Sequence, residues 1–149
     1  MRAIIDTLFN SRIASEIMPK TAVATANSTS QEATCWLALS LTQGLGPTRI
    51  KKLVEHFGRP DCVLNASLTE LEATGMLAVS AQSIATGKSL DLAQQECAKA
   101  SEAGARIVAL SDPEYPARLK EIYDPPVVLY VRGNVELLAK PGIAVVGLI

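Results

Sequence analysis

The chain has 149 residues, of which 48% are apolar and 19% charged, and its formal net charge is −1. This length and composition suit a globular protein of one ordinary domain or two small ones. The net charge excludes a general attraction of the whole molecule to nucleic acid or anionic lipid, so binding of either partner would need a local patch of positive charge.

The first 31 residues carry no clear structural pattern. Residues 1–17 form a mildly amphipathic opening, Met18 is an alternative initiator, and residues 20–31 are rich in Ser, Thr and Ala. We therefore expect residues 1–31 to be disordered or to include a mis-annotated start. Asp6 and Glu16 disfavour a transit peptide.

Charge changes sign along the first half of the chain. Residues 36–60 carry four basic side chains against one acidic, a net charge of +3, whereas residues 61–105 carry six acids against two lysines, a net charge of −4. The first segment is therefore where contacts to phosphate are expected.

Apolar residues at three- and four-residue steps predict two helices in this basic segment, over residues 33–41 and from Pro47 to Gly58. Between them lies GLGP, in the pattern of a helix-hairpin-helix element, whose glycines let the backbone approach a phosphate. Free N–H groups and the positive dipole end at the start of the second helix favour the same ligand, and basic side chains follow. The predicted DNA-backbone-binding residues are Gly44, Gly46, Thr48, Arg49, Lys51 and Lys52. The alternative interpretation of GLGP is a tight turn between packed helices.

Further helices are predicted up to Gly104. Ser67 and Glu70 form a capping box, and Ser89 is placed to cap a longer helix with an apolar stripe. A weaker copy of the hairpin occurs 31 residues after the first, without its second glycine and its basic residues. The aligned pairs are Gly44 with Gly75, Ile50 with Ala81, and Leu53 with Ile84.

After Gly104 the pattern changes to short β-branched or apolar runs, namely RIVAL, VVLYV and GIAVV. They predict three parallel-type strands, near Ile107, Val128 and Ile143, and the beginning of an α/β sheet.

Few other side chains suggest chemistry. His56 has no Cys or carboxylate at metal-ligand spacing, so a surface or capping role is expected. Trp36 and the three tyrosines fall mostly on apolar positions and are expected in the core. Cys35, Cys62 and Cys97 lack CxxC spacing and lie among apolar residues, which predicts buried free thiols and fits a reducing cytoplasm.

Residues 104–147 resemble very closely the region that enters the Rossmann-like domain of the DprA/Smf family of DNA-processing proteins. The family pattern is a strand, a D-x-x-YP-x-x-L segment, an I-x-DPP-x-VL-x-x-RGN strand and turn, a short helix ending in Lys-Pro, and a buried strand leading to Gly. The matching residues here are Asp112, Tyr115, Pro116, Leu119, Ile122, Asp124, Pro125, Pro126, Leu129, Arg132, Gly133, Asn134, Lys140, Pro141 and Gly147. The helical first part agrees, because family members often carry an N-terminal SAM-like domain of helix-hairpin-helix type.

The resemblance implies a mixed α+β and α/β fold. Residues 32–104 would form a small all-α, SAM-like helix-hairpin-helix bundle, and residues 105–149 an incomplete Rossmann-like parallel-sheet domain. It implies a cytoplasmic, non-enzymatic recombination mediator that binds single-stranded DNA through its phosphate backbone and loads RecA onto it in natural transformation. The full-length family forms homodimers, and neither a cofactor, a metal nor a membrane partner is implied.

In the family, the strand that ends at Gly147 continues into a GSR-type loop of the single-strand pocket. This chain has Leu148 and Ile149 there, so only Gly147 of that loop matches, and we expect an N-terminal fragment. Two other functions stay open. In the first alternative, the helical part is a protein-interaction module without DNA binding. In the second, the last strand begins the nucleotide-binding domain of an enzyme. The second is disfavoured because the phosphate loop and the ribose-binding acid are missing.

Overall fold

A computed structural model describes the backbone of residues 20–147 and the side chains of residues 30–147. Expectations for residues 1–19 lie outside the described residues. In chain order, the elements are α1 (Lys20–Leu41), α2 (Pro47–Phe57), α3 (Pro60–Asn65), α4 (Leu68–Ala73), α5 (Ala78–Ala85), α6 (Lys88–Glu102), β1 (Ala105–Ala109), α7 (Ala117–Lys120), β2 (Val128–Arg132) and a 3-10 helix (Val135–Ala139).

The chain divides into two compact units, residues 1–31 and residues 32–149. The described part of the first unit is the start of α1, which is helical from Lys20, whereas the sequence suggested disorder over residues 20–31. Residues 20–41 contain several alanines and neither Gly nor Pro, so nothing in this segment interrupts the helix. In the described residues, no helix is long and apolar enough to cross a membrane.

The main core of the second unit includes residues of both the helices and the sheet. Trp36 of α1, Ile50 of α2 and Leu71 of α4 are buried in one cluster with Ala109 of β1 and Val127, next to β2. The predicted boundary at residues 104–105 therefore marks a change from helix to strand within one compact unit. The division into two domains stays a prediction.

The helix predicted from Pro47 to Gly58 and the helix predicted after Ser67 have the end residues that the sequence indicated. Pro47 lies in the first turn of α2 and Gly58 is its C-cap. The Ser67 hydroxyl accepts a hydrogen bond from the Glu70 amide, while the Glu70 carboxylate accepts from the Ser67 amide. The prediction for Ser89 was wrong: α6 begins at Lys88 with Gly87 as its N-cap.

Ser89 is instead fully buried and hydrogen-bonded inside the helical part. Its hydroxyl lies 2.7 Å from the Thr42 hydroxyl and 2.9 Å from the Ser83 hydroxyl. Thr42 in turn donates to the Ala38 carbonyl at the end of α1. A buried hydroxyl needs such partners, and this group joins the end of α1 to α5 and α6.

The two strands pair antiparallel, with Ala105 opposite Arg132 and Ala109 opposite Val128, so the expectation of parallel strands was wrong. A parallel return needs a crossover, usually a helix, but the connection over residues 110–127 contains only the four-residue α7. The hydrogen bond from the Leu110 amide to the Val127 carbonyl, 2.8 Å long, continues the antiparallel pairing into that connection.

The predicted third strand is not formed in the structure. Residues 141–147 have no regular secondary structure, and Ile143, Val145 and Val146 are more than 90% exposed. A strand exists only when a neighbour pairs its backbone groups, and within the described residues none pairs this segment. The Rossmann-like start is therefore not seen here.

Cys35 is buried, Cys62 and Cys97 are not, and all three are free thiols. Burial raises the pKa of the Cys35 thiol, with nearby Asp61 and Glu32 adding to that effect. The prediction was wrong for Cys62, which is exposed because Pro60 and Val63 occupy the inward face of the short α3. Cys97 is half-buried on α6.

Candidate nucleic-acid interface

The turn of the first hairpin, residues 42–46 between α1 and α2, is fixed against α5. Gly44 has a φ of +84°, and a Cβ there would lie 3.0 Å from both Leu77 Cδ1 and Ser80 Oγ. The Ser80 hydroxyl also donates to the Gln43 carbonyl, at 2.6 Å. Gly44 is therefore required by conformation and by packing, apart from any role toward a ligand.

Gly46 differs from Gly44 in both respects. As the N-cap of α2 it has ordinary extended backbone, with φ −90° and ψ 167°. A Cβ at this position would find no atom within 4 Å. Neither conformation nor packing in the described structure requires glycine here, and the open space beside it permits close approach of another molecule to the backbone.

Thr48 lies in the first turn of α2, but its side chain has a partner within the chain. Its hydroxyl donates a hydrogen bond of 2.8 Å to Oδ1 of Asp124, from the DPP segment before β2. A carboxylate of this protein therefore lies at the helix end where the sequence predicted a phosphate. The positive end of the helix dipole favours negative charge, and here the Asp124 carboxylate supplies that charge in place of a bound anion.

The three predicted basic residues of α2 do not share one surface. Arg49 and Lys52 are exposed and line a groove of about 510 Å³, together with His56. Lys51 is half-buried and is not among the residues lining that groove. Sequence reasoning missed His56 as a member of this surface, although its place four residues after Lys52 puts the two on one helical face.

Gly147, the predicted remnant of the family pocket, is exposed at the end of the described residues. It lies in the segment without regular structure, far along the chain from the first hairpin, and Leu148 and Ile149 lie outside the described residues. The structure brings none of the other predicted site residues into hydrogen-bond contact with it in the described part of the chain.

The tyrosines divide into buried and exposed positions. Tyr115 is buried, as expected, and its hydroxyl donates to the Pro126 carbonyl at 2.7 Å. Tyr130 is 49% exposed and Tyr123 is 98% exposed, so the expectation of core positions was wrong for both. Trp36 is buried as expected, and its indole N–H donates to the Ser111 hydroxyl at 3.0 Å.

Two polar residues of the family pattern, Asp112 and Asn134, have structural roles in the described chain. Asp112 is buried and its carboxylate accepts a hydrogen bond of 2.7 Å from the Ala109 amide, at the end of β1. Burial raises the pKa of Asp112 above its usual range, although this hydrogen bond acts in the opposite direction. The Asn134 side chain caps the 3-10 helix by accepting from the Glu136 amide. These residues hold turns around the sheet.

Comparison with known proteins agrees with the pattern found in the sequence. Residues 106–148 match the family model described as DNA recombination-mediator protein A. The chain is also 30% identical over 119 residues to Protein Smf of Synechocystis sp., an alignment that covers 75% of this chain and 29% of that protein. The chain belongs to the DprA/Smf family.

The two matches differ in what they cover. The DprA family model begins in β1 and extends beyond the 3-10 helix, so it does not include the first hairpin. The alignment with Smf covers three quarters of this chain, but the chain spans less than a third of the length of that relative. No solved structure matches the chain.

Proposed function

We propose that this chain contributes DNA contacts to a recombination mediator of the DprA type. The protein binds single-stranded DNA through its phosphate backbone, loads RecA onto it in natural transformation, and catalyses no reaction. It acts in the cytoplasm as a homodimer in its full-length form. Membership of the DprA/Smf family supports this activity.

The observation that carries the DNA-binding part is the geometry of the first hairpin. Open space beside Gly46 lies directly before a helix whose exposed side chains include Arg49 and Lys52. The first amides of α2 have no partner within the helix, and the helix dipole adds positive potential at the same end. A phosphate approaching Gly46 meets donors and charge without any contact to a base, so binding is independent of base sequence.

Titration of a fluorescent oligonucleotide with the full chain at about 50 mM salt tests this function. We expect weak binding with a shallow slope of log affinity against log salt, of roughly −2 to −3 for three to four contacts to a single strand. The double substitution Lys51→Glu with Lys52→Glu is expected to abolish it. A control, Lys88→Glu with Lys99→Glu, makes the same charge change on α6 and is expected to retain most of the binding.

RecA loading has a separate measurement. RecA starts hydrolysing ATP after a lag when single-stranded DNA is covered by single-strand-binding protein, and a mediator shortens that lag. We expect the chain to shorten it only under salt conditions where it binds DNA. If the lag is unchanged when the chain saturates the DNA, the proposal that this chain loads RecA is wrong.

A second candidate function is a protein-interaction module without DNA binding. The contact between Thr48 and Asp124 favours it, because the chain already places a carboxylate at the hairpin. The net charge of −4 over residues 61–105 also disfavours a nucleic-acid partner on that side. A folded chain that shows no oligonucleotide binding at about 50 mM salt would support this alternative.

A further inference from the structure

A groove separates α2 from the second hairpin, which consists of α4, the turn over residues 74–77, and α5. Its volume is about 510 Å³, and the exposed side chains of Arg49, Lys52 and His56 line its α2 side. Leu53 and Met76, both buried, contribute apolar lining. Ala73 and Thr74 complete the described lining.

The charge of this groove distinguishes it from two other grooves of the described chain. Its described lining contains no Asp or Glu. The groove beside the 3-10 helix combines Glu114 and Glu136 with two basic residues, and the groove between α5 and α6 has a single cation, Lys88, among polar and apolar residues. Of these three grooves in the described chain, the α2 groove is the one that combines several basic side chains without a carboxylate, so it complements a polyanion best.

The spacing of the basic residues fits an extended strand. Arg49, Lys52 and His56 stand at positions i, i+3 and i+7 of one helix, and therefore follow one face for about 10 Å at a rise of about 1.5 Å per residue. Flexible Arg and Lys side chains extend that reach. A row of this length can contact roughly two or three successive phosphates.

Lys51 lies outside this row of groove residues. It is half-buried and does not line the groove. Thr48, whose hydroxyl is hydrogen-bonded to Asp124, precedes Lys51 by three residues and Lys52 by four, so it lies between the two lysines on the helix surface. Neither Thr48 nor Asp124 lines the groove, so a strand in the groove would not meet that carboxylate at the lining. The predicted basic residues therefore separate into two that line the groove, Arg49 and Lys52, and one that does not, Lys51.

We infer that the groove lined by Arg49, Lys52 and His56 is the path of a nucleic-acid backbone, and that His56 is a phosphate-binding residue in it. This inference rests on the proposed DNA-binding function and assigns its contacts to one face of α2. Lys51 then contributes only to the general potential of the hairpin.

Two neighbouring lysines provide a matched test in the full chain. Lys52→Glu and Lys51→Glu make the same charge change one residue apart, so their long-range effects on an oligonucleotide are nearly equal. We expect Lys52→Glu to lower the affinity for a fluorescent single-stranded oligonucleotide about tenfold and Lys51→Glu about threefold or less, at about 50 mM salt. Unchanged circular dichroism and denaturation midpoint would show that both variants fold.

His56 has its own pair of variants. His56→Lys is expected to raise the affinity several-fold, because it places a permanent cation in the groove, whereas His56→Gln is expected to lower it. If Lys51→Glu weakens binding as much as Lys52→Glu, or both His56 variants bind as the wild type does, the groove is not the path although the DNA-binding function stands. If the wild-type chain does not bind the oligonucleotide, both the inference and the proposed function are wrong.

Discussion

The turns of the two hairpins in this chain share several backbone features, whereas the helices that follow them differ in chemistry. Gly44 and Gly75 have φ values of +84° and +75°, and the residues that follow them, Leu45 and Met76, are both buried. The N-caps of the two second helices, Gly46 and Leu77, are both extended. Yet α2 contains three cations, Arg49, Lys51 and Lys52, and also His56, whereas α5, with the sequence AVSAQSIA, contains no basic residue.

This comparison separates what builds the fold from what could bind a ligand. Corresponding apolar positions are buried in both hairpins, with Ile50 and Ala81 at 1% and 0% exposure. The residue corresponding to Arg49 is Ser80, whose hydroxyl is used to hold the first hairpin's turn. The second hairpin therefore supports the first, and the basic residues of α2 are not explained by the shared architecture.

The largest effect is expected from the shared core. Ile50→Ala should lower the free energy of unfolding by about 2–5 kcal/mol, because it removes a fully buried side chain and leaves a cavity in the cluster common to both hairpins. Val79→Ala, at a position 66% exposed on α5, should change it by less than about 0.5 kcal/mol. Urea denaturation measures both, and a small effect of Ile50→Ala would contradict the shared core.

The two turn glycines differ in their surroundings, so alanine should affect them differently. Gly75→Ala meets only the penalty of positive φ, about 1–2 kcal/mol. Gly44→Ala adds a clash with Ser80 and disturbs its hydrogen bond to Gln43, for a total of about 2–3 kcal/mol. Denaturation midpoints of the two variants give the difference, and equal losses would mean that the turn is not fixed against α5.

The capping box at the start of the second hairpin should have a smaller effect. Ser67→Ala should lower the free energy of unfolding by about 1 kcal/mol, since it removes the acceptor for the Glu70 amide. Hydrogen bonds from the Ser67 side chain and backbone lower the pKa of Glu70 in the folded chain. Its contribution is therefore present above the ordinary pKa of glutamate, about 4.3, and is lost as the pH falls through the lowered folded value.

The pH dependence provides the control for the capping box. The difference between the stability profiles of the wild type and Ser67→Ala, measured by denaturation between about pH 6 and pH 3, should narrow as Glu70 becomes protonated, because the bond from the Ser67 hydroxyl to the carboxylate is weakened while the bond from the Glu70 amide remains. A difference that stays constant over that range would mean that the Glu70 carboxylate is not the partner that matters.

The smallest expected effect concerns Asp124 at the first hairpin. Asp124→Asn keeps an oxygen that can accept from Thr48 but removes the negative charge. Oligonucleotide affinity should rise about two- to fivefold, the effect of a unit charge roughly 4 Å away in water. Glu121→Gln removes the same charge three residues earlier and should change affinity less, so an equal rise in both variants would point to net charge alone.

Local sequence signals predicted the helical part well because they act over three or four residues. Pro47, Gly58 and the pair of Ser67 with Glu70 mark helix ends through backbone chemistry that needs no distant partner. Ser89 was misjudged because a distant residue, Thr42, binds its hydroxyl in the core. Strand direction likewise depends on which segment returns beside β1, and the short runs RIVAL and VVLYV contain no information on that pairing.

The sequence predicted which basic residues lie at the candidate site, but only partly which of them share one surface. Spacing within α2 brings Arg49 and Lys52 onto one face, and it also identifies His56 once that face is considered. The Asp124 contact could not be predicted, because it joins residues 76 positions apart in a loop without a periodic pattern. The exposure of Tyr123 could not be predicted either, because this residue also lies in a loop without a periodic pattern.

Trp36 makes the folding of this chain observable with a single fluorophore. It is the only tryptophan in the sequence, it is buried in the helical core, and its indole N–H is hydrogen-bonded to Ser111 beyond β1. Its emission therefore depends on whether the segment after the first strand is docked on the helices. One emission spectrum, shifting to the red as water reaches the ring, can report separation of these parts before the helices themselves melt.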